Sequence, residues 1–218
     1  MPLQILPCTD ADMPRIFEII SLAFGRRHIY IDTVYPLHWT PSGRAAGASR
    51  MLTTKQQDPC ARFLKAVDED TGTIVAQAKW IVYRDTIPPE GELEGEFWES
   101  EEEKEFARLL CREYLIPRRD AVREFGGNVV VLDLLSVDPQ FQRRGAGKLL
   151  MEWGTSLADD LGFPAVVEST EEGKALYELG GFEERSRWET RLPEKWKGCK
   201  RTERHIWMVR PSRKGSTA

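Results

Sequence analysis

The residues best placed to do chemistry form a short loop, Gln-Arg-Arg-Gly-Ala-Gly, at positions 142–147. The loop follows an apolar stretch and precedes an amphipathic one, a pattern that predicts a turn from a strand into a helix. Gly145 and Gly147 leave space for backbone amides at the start of that helix to approach an anion. The sequence therefore predicts a phosphate-binding turn, with cations nearby at Arg143, Arg144 and Lys148.

Two well-known phosphate-binding motifs do not account for this loop. A P-loop requires an upstream Gly, a Gly-Lys pair and then Ser or Thr, but the outer two positions here hold Gln142 and Leu149. A dinucleotide-binding fingerprint requires a third small residue, and this chain has Leu150 there. Neither motif fits.

The composition narrows the classes of function. The chain has 218 residues, of which 41% are hydrophobic and 30% charged, as is typical of a soluble globular protein. A net charge of −4 argues against nucleic acid as a partner. The sequence shows neither a long apolar run nor a signal peptide, so we expect no membrane contact. A cytoplasmic location is predicted, with the nucleus left open.

The potential metal ligands are scattered along the chain. The histidines lie far apart, and no two cysteines form a C-x-x-C pair. This spacing predicts reduced thiols and no metal site. The residues concerned are Cys8, Cys60, Cys111, Cys199, His28, His38 and His205.

Hydrophobic periodicity predicts the elements that position the loop. Strands are predicted at residues 3–7, 62–69, 73–84, 128–137, 165–170, 182–192 and 204–210. Helices are predicted within residues 9–25, 42–57, 145–161 and 171–182, whereas residues 25–41 show no clear period. We therefore expect one α/β domain over residues 1–210 and a disordered tail over residues 211–218.

Residues 84–127 form an insertion between the third and fourth predicted strands. An acidic stretch leads into a helix whose apolar face carries Phe106, Leu109, Leu110 and Tyr114. A connection this long is commonly functional or disordered, and the amphipathic helix favours a packed structure. The insertion is either a lid whose glutamates attract a cationic substrate or a solvated acidic face.

Other segments agree with the loop. The central strand ends in Val-Asp-Pro at residues 137–139, and a later helix carries Leu176-Tyr177 and ends at Gly181-Phe182. Together with residues 142–147, these motifs resemble the GNAT superfamily of acyl-CoA-dependent N-acetyltransferases. The resemblance is specific over residues 128–185 and loose elsewhere. The spacing of Trp80 on the preceding strand is similar to that of fungal members.

The resemblance implies a GNAT fold, in which a mixed central sheet is flanked by helices, and acetyl-CoA as the cosubstrate. The central strand would splay from its neighbour, so that its free backbone groups hold the pantetheine arm. The residues that the resemblance assigns to the cofactor are Leu135, Ser136, Val137, Gln142, Arg143, Arg144, Gly145, Ala146, Gly147, Lys148, Ser169 and Tyr177.

The resemblance also suggests catalytic roles. Tyr177 matches the family tyrosine near the coenzyme sulfur, and a phenol of pKa about 10 can protonate a thiolate. Tyr177 is therefore the predicted general acid, unless it only orients the coenzyme or is an ordinary packing residue of its helix. Where many members carry a glutamate base, this chain has Val131. Asp133 and Glu168 are the candidate bases, unless they are structural acceptors or a water chain carries the proton. Trp80 and Asp133 are predicted to contact the substrate.

These expectations lead to two classes of function. The first is an N-acetyltransferase that transfers an acetyl group to a primary amine of a small molecule or peptide by direct attack. The alternative is a non-catalytic acyl-CoA-binding sensor or interaction domain. A monomer or homodimer without a nucleic-acid partner is expected in either case.

Overall fold

The apolar segments of the sequence pair as strands of one mixed sheet. A computed structural model describes residues 2–198 and 200–213, and within them seven strands lie in the order β1-β2-β3-β4-β5-β7-β6. Their bounds are Leu3–Pro7, Ala61–Asp68, Ile74–Tyr83, Val129–Val137, Ala165–Ser169, Glu183–Glu189 and Arg204–Arg210, numbered in chain order. The predicted α/β fold with a mixed sheet is confirmed.

Helices cover both faces of this sheet. They are α1 (Met13–Phe24), α2 (Ile29–Val34), α3 (Pro41–Gln57), α4 (Glu101–Tyr114), α5 (Ile116–Glu124), α6 (Ala146–Leu161) and α7 (Glu171–Leu179). Helices α6 and α7 pack on one face, whereas α1, α3 and α5 pack on the other. No helix among the described residues is both long and apolar enough to cross a membrane.

Local signals place several helix boundaries. The predicted capping box of Thr9 and Asp12 is present at the start of the first helical segment. Helix α6 ends at Gly162, which adopts a positive φ of 67° as expected of a glycine C-cap. Helix α2 was not predicted, because its six residues are too few to establish a helical period.

The insertion between β3 and β4 is helical, as predicted, but it contains two helices instead of one. The α4 residues Phe106, Leu109, Leu110 and Tyr114 are buried, which confirms the predicted apolar face. Pro117 lies in the first turn of α5, where a missing amide proton costs nothing. Helix α5 then brings Arg118 underneath the central strands.

Trp80 lies in the core, and its predicted contact with the substrate stays a prediction. Its side chain is 0% exposed beneath α6. The indole Nε1 donates to the carbonyl oxygen of Leu150 at 3.2 Å. A Cβ atom at Gly154 would lie 2.1 Å from the indole ring, so this glycine is what lets α6 approach. Strand alternation alone does not say which face of β3 a helix covers.

Some expectations fall partly outside the described residues. Residues 214–218 of the predicted tail and Cys199 lie there, and so does Met1 of the predicted domain. Cys8, Cys60 and Cys111 are free thiols, as predicted.

Candidate functional site

The two central parallel strands separate partway along their length. Strands β4 and β5 pair only where Val130, Val131 and Leu132 face Ala165, Val166 and Val167. Beyond Leu132, β4 continues to Val137 paired with β3, and β5 continues to Ser169 paired with β7. Backbone groups of residues 133–137 that point toward β5 therefore have no strand partner. Such groups are suited to hydrogen-bonding an extended ligand.

A β-bulge in β4 marks the start of this gap. Lys79 of β3 lies opposite Leu134, and Trp80 lies opposite Leu132, so Asp133 is an extra residue in β4. A bulge bends its strand and changes the direction of the nearby side chains. Here it accompanies the placement of the Asp133 carboxylate next to α5.

The glycine loop lies directly after the gap. Arg143 and Gly145 take positive φ angles of 63° and 94°, which turn the chain into α6. Gly145 is the N-cap residue and offers no side-chain cap. The first amides of the helix are consequently not capped by a side chain of that residue. Upstream, the Asp138 carboxylate accepts from the Gln140 amide at 3.0 Å and pairs with Arg15.

Gly147 joins the loop to the gap. A Cβ atom at Gly147 would lie 3.4–3.6 Å from side-chain atoms of Leu176, Val137 and Leu135. The glycine therefore faces the space between β4 and α7. Most of the predicted cofactor residues are thus neighbours in the structure, because Gly147 of the segment 142–148 lies next to Leu135 and Val137 of the segment 135–137.

The polar side chains around the loop already have protein contacts. The Gln142 Nε2 donates to the Val137 carbonyl at 3.3 Å, and Lys148 pairs with Glu152 at 3.4 Å. The Arg144 guanidinium lies 5.5 Å from the centre of the Phe141 ring. The loop is therefore held in shape by its own side chains.

Ser136 and Ser169 are buried, and both hydroxyls are occupied. The Ser136 Oγ accepts from Gln77 Nε2 at 2.9 Å, and the Ser169 Oγ donates to the Thr170 carbonyl at 2.7 Å. A ligand in the gap would therefore contact these residues mainly through their backbone.

Tyr177 of α7 lies beside the end of β5, since a Cβ atom at Gly173 would be 2.9 Å from its ring and 3.3 Å from the Ser169 Oγ. It is 7% exposed and packs edge-to-face on Phe182, with ring centres 5.9 Å apart. Its hydroxyl forms no hydrogen bond within residues 2–198 and 200–213. Burial raises the pKa of this phenol, so it stays protonated at neutral pH. The structure thus contains a buried hydroxyl whose proton is available for a ligand.

Asp133 and Glu168 share one arginine. Arg118 is 8% exposed, and its Nε donates to Glu168 at 2.9 Å while another of its nitrogens contacts Asp133. Lys79 adds a second cation, 3.0 Å from Asp133. Burial alone would raise the pKa of Asp133, but Lys79 and Arg118 outweigh it and hold that pKa well below its usual range. Such a carboxylate is a weak proton acceptor.

The same face carries aromatic and histidine side chains that the sequence did not single out. Tyr30 stacks on Tyr114 at 4.1 Å, and Tyr114 lies 4.4 Å from His205 between ring centres. His205 is 4% exposed, and neither of its ring nitrogens has a hydrogen-bond partner in the described structure. Burial, Arg118 and His28 lower its pKa to about 4. The imidazole is therefore neutral, and its two nitrogens are buried without a partner among the described residues.

We expect His205 to make the protein less stable as the pH falls. Its folded pKa of about 4 lies below the ordinary value of 6.5, so the unfolded chain binds a proton first and stability is lost between these values. Lowering the pH from 7 to 5 should therefore reduce the free energy of unfolding by about 2 kcal/mol through this histidine. Urea denaturation at both pH values measures this loss.

His205→Phe keeps an aromatic ring against Tyr114 and removes the titration. Over the same pH interval, the free energy of unfolding of the variant should fall by about 2 kcal/mol less than that of the wild type. Equal losses in the two proteins would show that the imidazole already binds its proton in the folded state.

Among the described residues, no group of three or more histidine, cysteine or acidic side chains is arranged to hold a metal ion. The site is built from backbone groups, a phenol, a neutral imidazole and paired charges.

Known structures share this architecture. Arylalkylamine N-acetyltransferase 2 from Aedes aegypti has a TM-score of 0.63 at 16% identity, covering 96% of this chain and 98% of that chain. A polyamine N-acetyltransferase from Drosophila melanogaster has a TM-score of 0.60 at 17% identity, covering 95% and 99%. A phosphinothricin acetyltransferase from Sinorhizobium meliloti, solved with AcCoA, has a TM-score of 0.58 at 18% identity, covering 100% and 92%.

At these identities the structural likeness shows the fold alone. None of the three proteins is fungal, so the resemblance to fungal members stays a prediction. A search of curated protein sequences gives no match to this chain. A model of the acetyltransferase (GNAT) family matches residues 31–182, which is more than half of the chain. The protein therefore belongs to the acetyltransferase (GNAT) family.

Proposed function

We propose that the protein is an acetyl-CoA-dependent N-acetyltransferase that acts on a primary amine of a small molecule or peptide. The observation that carries this proposal is the gap between β4 and β5, which has Gly147 of the glycine loop at the end of β4 and Tyr177 beside the end of β5. Two of the structurally similar proteins named above are an arylalkylamine N-acetyltransferase and a polyamine N-acetyltransferase, which supports a small amine as the acceptor.

The residues at the loop fit the phosphates of coenzyme A. Gly145 leaves open space where a side chain would stand, and the amides at the start of α6 attract an anion through the helix dipole. Arg143, Arg144 and Lys148 would add positive charge, as the resemblance implied. Filling the space at Gly147 would narrow the path from the loop into the gap.

The gap fits the extended arm of the coenzyme. Acetyl-CoA supplies an activated thioester when it is bound. The backbone of Leu135, Ser136 and Val137 would hydrogen-bond the pantetheine, and an amide of this segment would polarise the thioester carbonyl. Ser169 would contribute through its backbone from the opposite strand.

Tyr177 is proposed to protonate the departing thiolate. Burial raises the pKa of the phenol, which by itself weakens it as an acid. Burial would also raise the pKa of the coenzyme thiol at the same place. The difference in pKa between phenol and thiol is therefore smaller than the raised pKa of the phenol alone suggests. A hydrogen bond from the phenol would also stabilise the leaving thiolate.

We propose that water carries the proton away from the amine. Asp133 and Glu168 are paired with Arg118, which favours their role as positioning residues. Asp133 keeps about a quarter of its side chain exposed and would orient the amine.

Tyr177→Phe should separate catalysis from binding. Loss of a general acid is expected to lower kcat by about 100- to 10,000-fold while acetyl-CoA affinity stays within about twofold. Thiol release with arylalkylamines, polyamines and a short peptide measures the first, and calorimetry the second. Tyr83→Phe is the matched control, because it removes a phenol at the end of β3 that lies opposite the start of β4, away from the gap.

Two other outcomes would change the proposal. If Tyr177→Phe weakens acetyl-CoA binding and leaves kcat intact, the tyrosine orients the coenzyme. If the wild type binds acetyl-CoA but acetylates no amine, the chain is the acyl-CoA sensor that the sequence left open. A cytoplasmic monomer or homodimer remains the expected state of the protein.

A further inference from the structure

A second arginine, Arg50 of α3, is held in an unusual environment. Its guanidinium lies 4.5 Å from the ring centres of both Tyr35 and Phe97. One of its nitrogens donates to the Val34 carbonyl at 2.5 Å. The aromatic rings and this hydrogen bond fix the direction of the guanidinium. Phe97 comes from the insertion, so two distant segments build the site.

Arg50 is a largely buried cation without a carboxylate. No ion pair involves it in the part of the chain that the structure describes. Burial lowers its pKa, as expected for a charge that is partly removed from water. None of its nitrogens is a fully buried atom lacking a partner, so the N–H groups that bond to no protein atom reach open space. The charge can therefore be neutralised by a ligand.

That open space is a cavity of about 230 Å³ between α3 and the insertion. Tyr35, Leu37, Ala46 and Phe97 form much of its wall, and Arg50 is the only cation that lines it among the described residues. Glu96 also borders the cavity, but it is 85% exposed and pairs with Lys104 at 2.8 Å. A single planar cation in a small, partly aromatic cavity suits one carboxylate.

Tyr35 connects this cavity to the proposed reaction centre. One face of its ring receives Arg50. Tyr35 and Leu134 of β4 both pack against the hydrophobic cluster that contains Phe17 and Met51. Tyr35 therefore borders the Arg50 cavity and also the cluster on which the β4 segment at the gap rests.

We propose that Arg50 binds a carboxylate of the acceptor, so that the acceptor is a small amine that also carries an acid group. This inference rests on the proposed acetyl transfer and names its substrate class. The guanidinium edge binds the carboxylate through two parallel N–H donors, while the amine extends past Tyr35 toward the gap between β4 and β5.

The test uses matched pairs of acceptors. One series runs from glycine through β-alanine to 6-aminohexanoate and includes the common α-amino acids. Each acid is paired with the amine that lacks its carboxylate. The values of kcat/KM are compared in the wild type, Arg50→Met, Arg50→Lys and Arg44→Met. Arg44 lies on the same helix and does not line the cavity, so its variant removes an equal charge elsewhere.

We expect the wild type and Arg44→Met to prefer the acid of the best pair by about 10- to 100-fold, the usual effect of a charge-assisted hydrogen bond. Arg50→Met should abolish this preference, and Arg50→Lys should restore part of it. The length of the best acid would report the distance from Arg50 to the reacting thioester.

Three results would overturn the inference. A loss in Arg50→Met that is equal for acids and amines would show that Arg50 only holds the insertion in place. A wild type that acetylates amines but no acid would leave the proposed transferase intact and exclude this substrate class. A wild type that does not bind acetyl-CoA in calorimetry would remove both proposals.

Discussion

Arg118→Met is expected to lower the free energy of unfolding by about 3–5 kcal/mol, the usual cost of removing one partner from a buried ion pair. Arg118 is the shared partner of Asp133 and Glu168, and Glu168 is almost fully buried. Without the guanidinium, two carboxylates would remain close together, with only Lys79 to compensate them. Urea denaturation at pH 7 measures the change.

Arg119→Met is the matched control for this substitution. Arg119 follows on the same helix, and among the described residues its side chain donates only to the carbonyl oxygen of Arg112, in an exposed position. Its removal should therefore change stability by no more than about 0.5 kcal/mol. Adding Glu168→Gln to Arg118→Met should recover part of the loss, because it removes one uncompensated charge. Equal effects of Arg118→Met and Arg119→Met would mean that the carboxylates are solvated when the arginine is absent.

Gly147→Glu is expected to weaken acetyl-CoA binding by about 100-fold or more. The new side chain would enter the space bounded by Leu135, Val137 and Leu176, and its charge would face the proposed phosphate site. Like charges placed together in an interface cost several kcal/mol, and each 1.4 kcal/mol corresponds to about tenfold in affinity. Calorimetric titration of acetyl-CoA measures the change.

Two variants separate charge from volume at this position. Gly147→Ala adds a Cβ at ordinary contact distances of 3.4–3.6 Å, so the fold should be unchanged and affinity should fall far less. Gly91→Glu adds the same charge in open space within the insertion, and it should leave affinity unaltered. Undiminished binding by Gly147→Glu would place the coenzyme phosphates elsewhere.

The sequence predicted the parts of this site that depend on local patterns. The turn at Gly145 and Gly147 follows from residue type, and the helix after it follows from apolar spacing. The central strand was predicted within one residue of its observed start, because residues buried on both faces form a continuous apolar run.

The rest depends on contacts between distant segments. Arg118 lies 50 residues before Glu168, on a helix whose docking no local pattern encodes. The contact of Tyr30 and Tyr114 with His205 joins α2, α4 and β7, which are far apart in the sequence. The burial of Trp80 was not predicted, because its strand is apolar on both faces and alternation does not reveal which side a helix covers.

The short pairing of β4 with β5 also has a mechanical consequence. The sheet is joined between β4 and β5 by three residue pairs, so we expect it to bend more easily along that line than between any other two neighbouring strands. A buried arginine crosses this line on each face of the sheet. Arg118 contacts Asp133 of β4 and Glu168 of β5. Arg210 of β7 donates to Asp159 of α6 at 2.7 Å. A ligand bound in the gap would contact both strands and should make the sheet more rigid along this line.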